Sequence, residues 1–227
     1  MDTELEKKLN IIELTELIET TNDESSPFNQ SLLYDTTDAT VYPPPSVANG
    51  EPDAKKRKRK EEDSAGVANV NDTSHALYTS RVLSNKHVNK TQDRVKKECE
   101  ELVDLCDKVK LWVSLTMPKI EDGDNFGVQI QEEVLSELHR SQESGYNLRD
   151  NARSNHLNRA KICSKLIKYP FVEDYTIALK EHDAKQLYMA RQHLVDIKNI
   201  YAVLTDVIHK NFQKIRSPKG NNREGMY

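Results

Sequence analysis

Seven histidines, three cysteines and one adjacent carboxylate pair are the residues of this chain whose types could support catalysis or metal binding. Their spacing supports neither. His75, His87, His139, His156, His182, His193 and His209 never fall at the short separations by which imidazoles share a metal, and the His-Glu-x-x-His zinc signature is absent. Cys99, Cys106 and Cys163 are odd in number and form no pair separated by two residues. On a helix, Cys99 and Cys106 would lie on one face roughly 10 Å apart, beyond disulfide reach. All three therefore read as small buried hydrophobes in a reducing compartment. Glu121 and Asp122 are neighbours whose side chains point apart, with no matching acid or base nearby. A Walker-type phosphate cradle and a nucleophile elbow are also missing. The expectation is a non-enzyme with no cofactor and no metal, whose working parts are binding surfaces.

The stretch Met117 to Gly127 is the most distinctive of those surfaces. Pro118 lacks an amide donor and drives Met117 out of the helical region, Gly123 and Gly127 permit positive φ, and Asp122, Asp124 and Asn125 can bond nearby backbone. These residues interrupt two long helical patterns, so they predict a shaped loop at the tip of a helix pair. A plain connector and a contact surface both fit that chemistry.

The helices that must hold this loop are legible from periodicity. Val95, Cys99, Leu102, Cys106, Val109 and Val113 recur at alternating spacings of 4 and 3, with Leu105, Trp112 and Leu115 widening the stripe. A second run extends from about residue 128 to 168, with Val134, Leu138, Gly145, Leu148, Ala152, Ala160, Cys163 and Ile167 on one side. Its middle carries Arg140, Arg149, Arg153, Arg159 and Lys161 against Glu143 and Asp150, which predicts a polar, net basic face. Pro170 ends that run, and another follows from Val172 to about Ile215, with a seam of Leu194, Ile197, Tyr201, Leu204, Ile208, Phe212 and Ile215. Pro218 and Gly220 then stop the helix and begin a tail ending in Met226 and Tyr227.

Residues 1–20 add a short amphipathic helix built on Leu5, Leu9, Ile12 and Ile18. Residues 21–84 lose periodicity and read as a mostly disordered insertion, containing Pro43-Pro44-Pro45 and the basic block Lys55, Lys56, Arg57, Lys58, Arg59 and Lys60. Residues 85–216 supply helices two to four, and residues 217–227 the tail. The fold class expected is therefore all-α, an elongated up-and-down four-helix bundle. Composition agrees: 31% of residues are charged, only 4 are Phe and 1 is Trp, and mean hydropathy is −0.77. The net charge of −4 argues against whole-surface nucleic-acid binding. With no apolar run of about 18 residues and no signal-peptide core, the chain is expected to be soluble and intracellular, with no membrane partner. The sequons at Asn71 and Asn89 are then incidental.

Several stretches together resemble the 11S (REG) proteasome activators. They are Lys110-Leu111-Trp112, Pro118-Lys119-Ile120-Glu121-Asp122-Gly123, Asn125-Phe126-Gly127-Val128, Gln131-Glu132-Glu133, Tyr169-Pro170, Val172-Glu173-Asp174-Tyr175, Tyr201-Ala202-Val203-Leu204 and Lys210-Asn211-Phe212. The likeness runs over about residues 85 to 227, and the basic block resembles that of the gamma-type, nuclear member. The resemblance implies a subunit of a homo-oligomeric ring, of seven copies, that caps the α-subunits of the 20S proteasome core particle and opens its gate without ATP.

On that resemblance, Pro118, Lys119, Ile120, Glu121, Asp122, Gly123, Asp124, Asn125, Phe126 and Gly127 form the activation loop. Gly225, Met226 and Tyr227 form the core-particle-binding tail, with the terminal carboxylate pairing a lysine there. Arg149, Arg153 and Lys161 are candidates for lining a channel through which peptide substrates pass. Lys55 to Lys60 would be read by a nuclear import receptor, placing the protein in the nucleus with some in the cytoplasm. One departure is Asp124, where the family carries Asn; it keeps the turn-forming acceptor but adds a charge. The other is the shortness of the first helix. A nuclear helical adaptor with no gate-opening activity is the alternative, and nucleic acid is not an expected partner.

Overall fold

A computed structural model describes residues 18, 23, 25, 26, 28, 29, 36–43, 80–119 and 126–219. Three long helices dominate them: α1, Lys86–Thr116; α2, Phe126–Lys168; and α3, Glu173–Arg216. Each packs on the other two in an all-helical architecture, and no strand is found among the described residues beyond one isolated bridge. At 1.5 Å per residue, α2 and α3 reach about 65 Å and α1 about 46 Å.

Their ends follow from identifiable residues. Asn85 caps α1, its Oδ1 accepting from the backbone amides of His87 at 3.0 Å and Val88 at 3.1 Å. Met117 leaves the helix at ψ 124°, the extended backbone that a following proline demands. Pro170 stops α2, and the Tyr169 and Val172 amides bond back to the carbonyls of Lys165 and Tyr169. No side chain caps α3 at Val172; Glu173 and Asp174 in its first turn and Lys214 and Arg216 in its last complement the helix dipole instead.

The core runs along the predicted seams. Val95, Cys99, Leu102, Cys106 and Val113 of α1 meet Val134 and Leu138 of α2 and Leu194, Ile197, Tyr201, Leu204 and Ile215 of α3. Ile18 and Phe28 join the same cluster. Ile18 is the described residue of the expected first helix; it is helical and buried. The rest of residues 1–20, and the basic block Lys55 to Lys60, lie outside the described residues.

Burial raises the Cys99 and Cys106 thiols to about 11 and pushes that of Cys163 upward, which keeps them as inert, free thiols. Gly145 is small because α1 passes close: a Cβ there would stand 3.0 Å from Cγ2 of Val103.

Four expectations need correcting. Leu115, expected to widen a buried stripe, is 77% exposed, and Leu111 one turn earlier is 62% exposed. Phe212 sits on the rim, stacked on Trp112 with centroids 6.0 Å apart, because the bundle narrows to three described helices at that end. Ala160 faces outward, since α2 turns Asn155, Arg159 and Leu166 toward its neighbours. Finally, two pieces of the stretch read as mostly disordered dock on the bundle: the backbones of Tyr42 and Arg81 pair in both directions, at 2.8 and 2.9 Å.

That docking centres on a buried ion pair. Asp183 of α3, 1% exposed, accepts from Nε of Arg159 at 2.9 Å and Nη2 at 3.3 Å. Its Oδ2 also accepts from Asn85 Nδ2 and Thr37 Oγ1, each at 3.0 Å, while Nη1 of Arg159 donates to the Leu83 carbonyl at 3.1 Å. Four chain segments thus share one carboxylate and one guanidinium. Arg159, expected on the exposed basic face, is a structural cation.

His193 of α3 is buried, its Nδ1 has no hydrogen-bond partner, and desolvation lowers its pKa below 6.5. His182 is shifted the same way by its burial. The unfolded chain therefore takes up protons first as pH falls, so stability is full above about pH 6.5 and declines through the folded-state pKa. Urea midpoints measured at pH 7.5 and 5.5 are expected to fall toward the acid side, and the fall should shrink in His193→Leu. An undiminished slope in that variant would assign the effect elsewhere.

Candidate functional site

The ends of the expected loop and the root of the expected tail are joined at one end of the bundle. α1 ends at Thr116, α2 begins at Phe126 and α3 ends at Arg216. The last carbonyls of a helix have no intrahelical partner. At Ile215 that carbonyl accepts from Nε2 of Gln131 at 2.8 Å, and the Thr116 hydroxyl stands 3.3 Å away. The same hydroxyl donates to the Val113 carbonyl at 2.8 Å and accepts from Gln131 Nε2 at 3.3 Å. Gln131 and Ile215 are fully buried, so solvent does not compete for these bonds.

Gly127 completes the clasp. It lies in the first turn of α2 against Pro218, and a Cβ in its place would overlap the carbonyl oxygen, Cα and carbonyl carbon of Pro218. Its lack of a side chain is thus required for space, where the sequence suggested a positive φ. Pro218, expected to keep the tail extended, is itself buried at this contact.

Pro118 and Lys119 are described at the start of the loop, and Phe126 and Gly127 at its end. Ile120 to Asn125, including Glu121, Asp122 and Asp124, lie outside the described residues, as do Gly225, Met226 and Tyr227. The channel candidates are all exposed on α2. Arg149 crosses to Glu100 of α1 at 3.0 Å, and Arg153 approaches Asp150 at 3.4 Å. Lys161 makes no ion pair among the described residues. At about 100° per residue it sits some 80° around the helix from Arg153, so the three form no single row.

Sequence reasoning missed Gln131 and Thr116 as members of this site. The available signal was positional: Gly127, Gln131, Val134 and Leu138 are spaced 4, 3, 4, which puts a glutamine on a buried seam and requires a polar partner there. Among the described residues, no group of three His, Cys, Asp or Glu is arranged to hold a metal, and no helix is long and apolar enough to cross a membrane.

A family profile described as proteasome activator PA28, C-terminal, matches residues 81–225. The chain belongs to the PA28 family. Human proteasome activator complex subunit 3 is 40% identical over 144 residues, covering 63% of this chain. Proteasome activator 28 of Dictyostelium discoideum is 31% identical over 146 residues, or 64% of this chain. The alignment takes in 57% of the human protein's length and 65% of the Dictyostelium one.

Among solved structures, the 11S subunit of the Plasmodium falciparum proteasome, PA28, superimposes with a TM-score of 0.69 at 33% identity, covering 95% of this chain and 87% of that one. An archaeal 20S proteasome in complex with a mutated P26 activator supplies a second match, with a TM-score of 0.56 at 14% identity over 64% of this chain and 73% of that one. That second likeness is one of fold alone. Within the PA28 match fall both the loop and all the residues of the clasp, whereas the basic block lies before it.

Proposed function

We propose that this protein is an ATP-independent activator of the 20S proteasome core particle, acting as a ring of identical subunits, seven in the reading taken here. The carrying observation is the clasp: Thr116, Gln131, Gly127, Ile215 and Pro218 fix the loop's two ends to the tail's root. A device that must bind through one segment and act through another needs those segments held in fixed relation. The tail Gly225 to Tyr227 supplies affinity by inserting its terminal carboxylate between adjacent α-subunits. Tails on one ring bind together, and such multivalency raises avidity by roughly 100- to 10,000-fold. Residues 118–127 then press on the entrance turns and open the gate. The exposed Leu111 and Leu115 are apolar surface that a neighbouring subunit would cover on assembly.

In this reading the first helix completes a four-helix bundle. Arg149, Arg153 and Lys161 border the route of transiting peptides, with Lys161 the strongest of the three because the others already have acidic partners. Lys55 to Lys60 would be bound by an import receptor, making the protein nuclear.

Removing Met226 and Tyr227 is the direct test. Peptide hydrolysis by core particle should lose its stimulation, returning to within about twofold of core particle alone, while ring mass in size-exclusion light scattering stays unchanged. Undiminished stimulation would reject the tail's role and favour a helical adaptor.

A further inference from the structure

Far from the clasp, the extended residues 80–84 run beside the C-terminal half of α2 and leave an open trough between them of about 420 Å³. That volume is within the range of sites for drug-sized ligands. Its floor is aliphatic, formed by Val82, Ala160 and Ile167 with Cys163, and its sides carry Arg81, His156 and hydroxyls from Ser80, Ser84 and Ser164. No carboxylate and no aromatic ring lines it.

The charge around it is one-sided. Residues 80–92 and 151–168, which form the two walls, contain Arg81, Lys86, Lys90, Arg153, Arg159, Lys161, Lys165 and Lys168 and not one Asp or Glu. Asp183 neutralises Arg159 from below, and Asp38 on the adjoining segment is engaged with the Tyr42 hydroxyl at 2.6 Å and the Thr40 amide at 2.9 Å. The remaining cations face solvent or the trough without a fixed counter-charge on either wall. In a chain of net charge −4, this segregation is local and not a consequence of overall composition.

We propose that this trough docks an extended acidic peptide segment, with aliphatic side chains on the floor and carboxylates toward the Arg81 and Lys161 rims. An inorganic anion would leave the apolar floor uncovered. A single-stranded nucleic acid would find no ring on which to stack its bases. A peptide alternating acidic and aliphatic residues satisfies both surfaces, since successive side chains of an extended chain point to opposite sides. The proposal goes beyond proteasome activation and rests on the trough alone.

The test needs no core particle, so its failure is separable from failure of the activator reading. A short fluorescein-labelled peptide of alternating Glu and Val is titrated with full-length protein and followed by anisotropy, beside a Lys and Val counterpart. Saturable binding of the acidic peptide is expected, about tenfold weaker in Arg81→Glu and abolished in Ala160→Trp. Both positions are exposed, so both variants should keep wild-type helical circular dichroism. Saturating peptide should also slow maleimide modification of Cys163, which is half-buried in the trough, and leave buried Cys99 and Cys106 as they were. Wild-type affinity in Ala160→Trp, or unslowed Cys163 modification, would overturn the proposal. So would stronger binding of a single-stranded oligonucleotide, or displacement of the peptide by phosphate at constant ionic strength.

Discussion

Asp183→Ala should destabilise the folded chain by roughly 3–5 kcal/mol, the usual consequence of leaving a buried charge without its partner. The carboxylate is 1% exposed, and it is the shared acceptor for Arg159, Asn85 and Thr37. Its removal strands the guanidinium, which keeps the Leu83 carbonyl and a long contact to the Cys163 sulfur at 3.8 Å. Arg159→Ala should cost less, because the carboxylate then retains two donors from Asn85 and Thr37. Replacing both partners with apolar residues, as in Arg159→Met with Asp183→Leu, should recover most of the loss, since no unpaired charge remains. Urea midpoints at one fixed protein concentration measure this order, the fixed concentration removing any contribution from self-association. The amides of Tyr42 and Arg81, whose mutual pairing is docked through this cluster, should exchange faster in both single variants and only modestly faster elsewhere. Equal stability of Asp183→Ala and wild type would mean that the pair is solvated in the working protein.

This ion pair also marks where sequence reasoning stopped short. Leu179, Asp183, Leu187, Ala190 and Leu194 follow the seam spacing of α3, so an acidic residue on a buried row could be read from periodicity. Its partner could not. Arg159 belongs to a run of basic residues on α2 that are identical in type, and one-dimensional spacing does not say which of them the supercoiling of two long helices turns inward. The three helices were legible because proline and glycine punctuation brackets long 3–4 repeats. The loss of Leu115 and Phe212 from the core was not legible, since an apolar residue at a helix end fits the repeat whether or not a neighbour continues past it. Docking of residues 36–43 was hidden for a related reason: it depends on the shared polar contacts of Thr37, Asn85 and Asp183 and has no apolar pattern of its own.

The same limit applies to the loop. Its residue types announced an irregular turn, but the value of its position comes from the clasp beneath it, which brings together residues far apart in sequence. Gln131 and Ile215 are 84 positions apart, and Thr116 and Ile215 are separated by 99. The single contact that makes loop and tail mechanically one unit, Gly127 against Pro218, was misread in isolation at both ends. Each residue has an adequate local explanation, and only the fold puts one on top of the other.

Gly127→Ala tests that contact with the smallest change possible, and its expected direction opposes helix propensity. Within a helix, glycine to alanine ordinarily stabilises by about 1 kcal/mol. Gly145→Ala should come near that norm less a modest cost, because the new methyl meets the movable side chain of Val103. At Gly127 the methyl meets the backbone of Pro218, which cannot rotate aside. Either the first turn of α2 unwinds, moving the loop's end, or Pro218 retreats and drags the Ile215 carbonyl from Gln131. Both outcomes change the distance from loop to tail root in every subunit of a ring. Because avidity requires all tails to meet their pockets at once, a misfit repeated around the ring is multiplied rather than averaged. Stimulated peptide hydrolysis should therefore fall by at least roughly tenfold in Gly127→Ala and stay within about twofold of wild type in Gly145→Ala, with ring mass unchanged in both. If the two alanines behave alike, then the loop and the tail act independently, and the clasp is a stabilising cap on α3 with no part in coupling binding to gate opening.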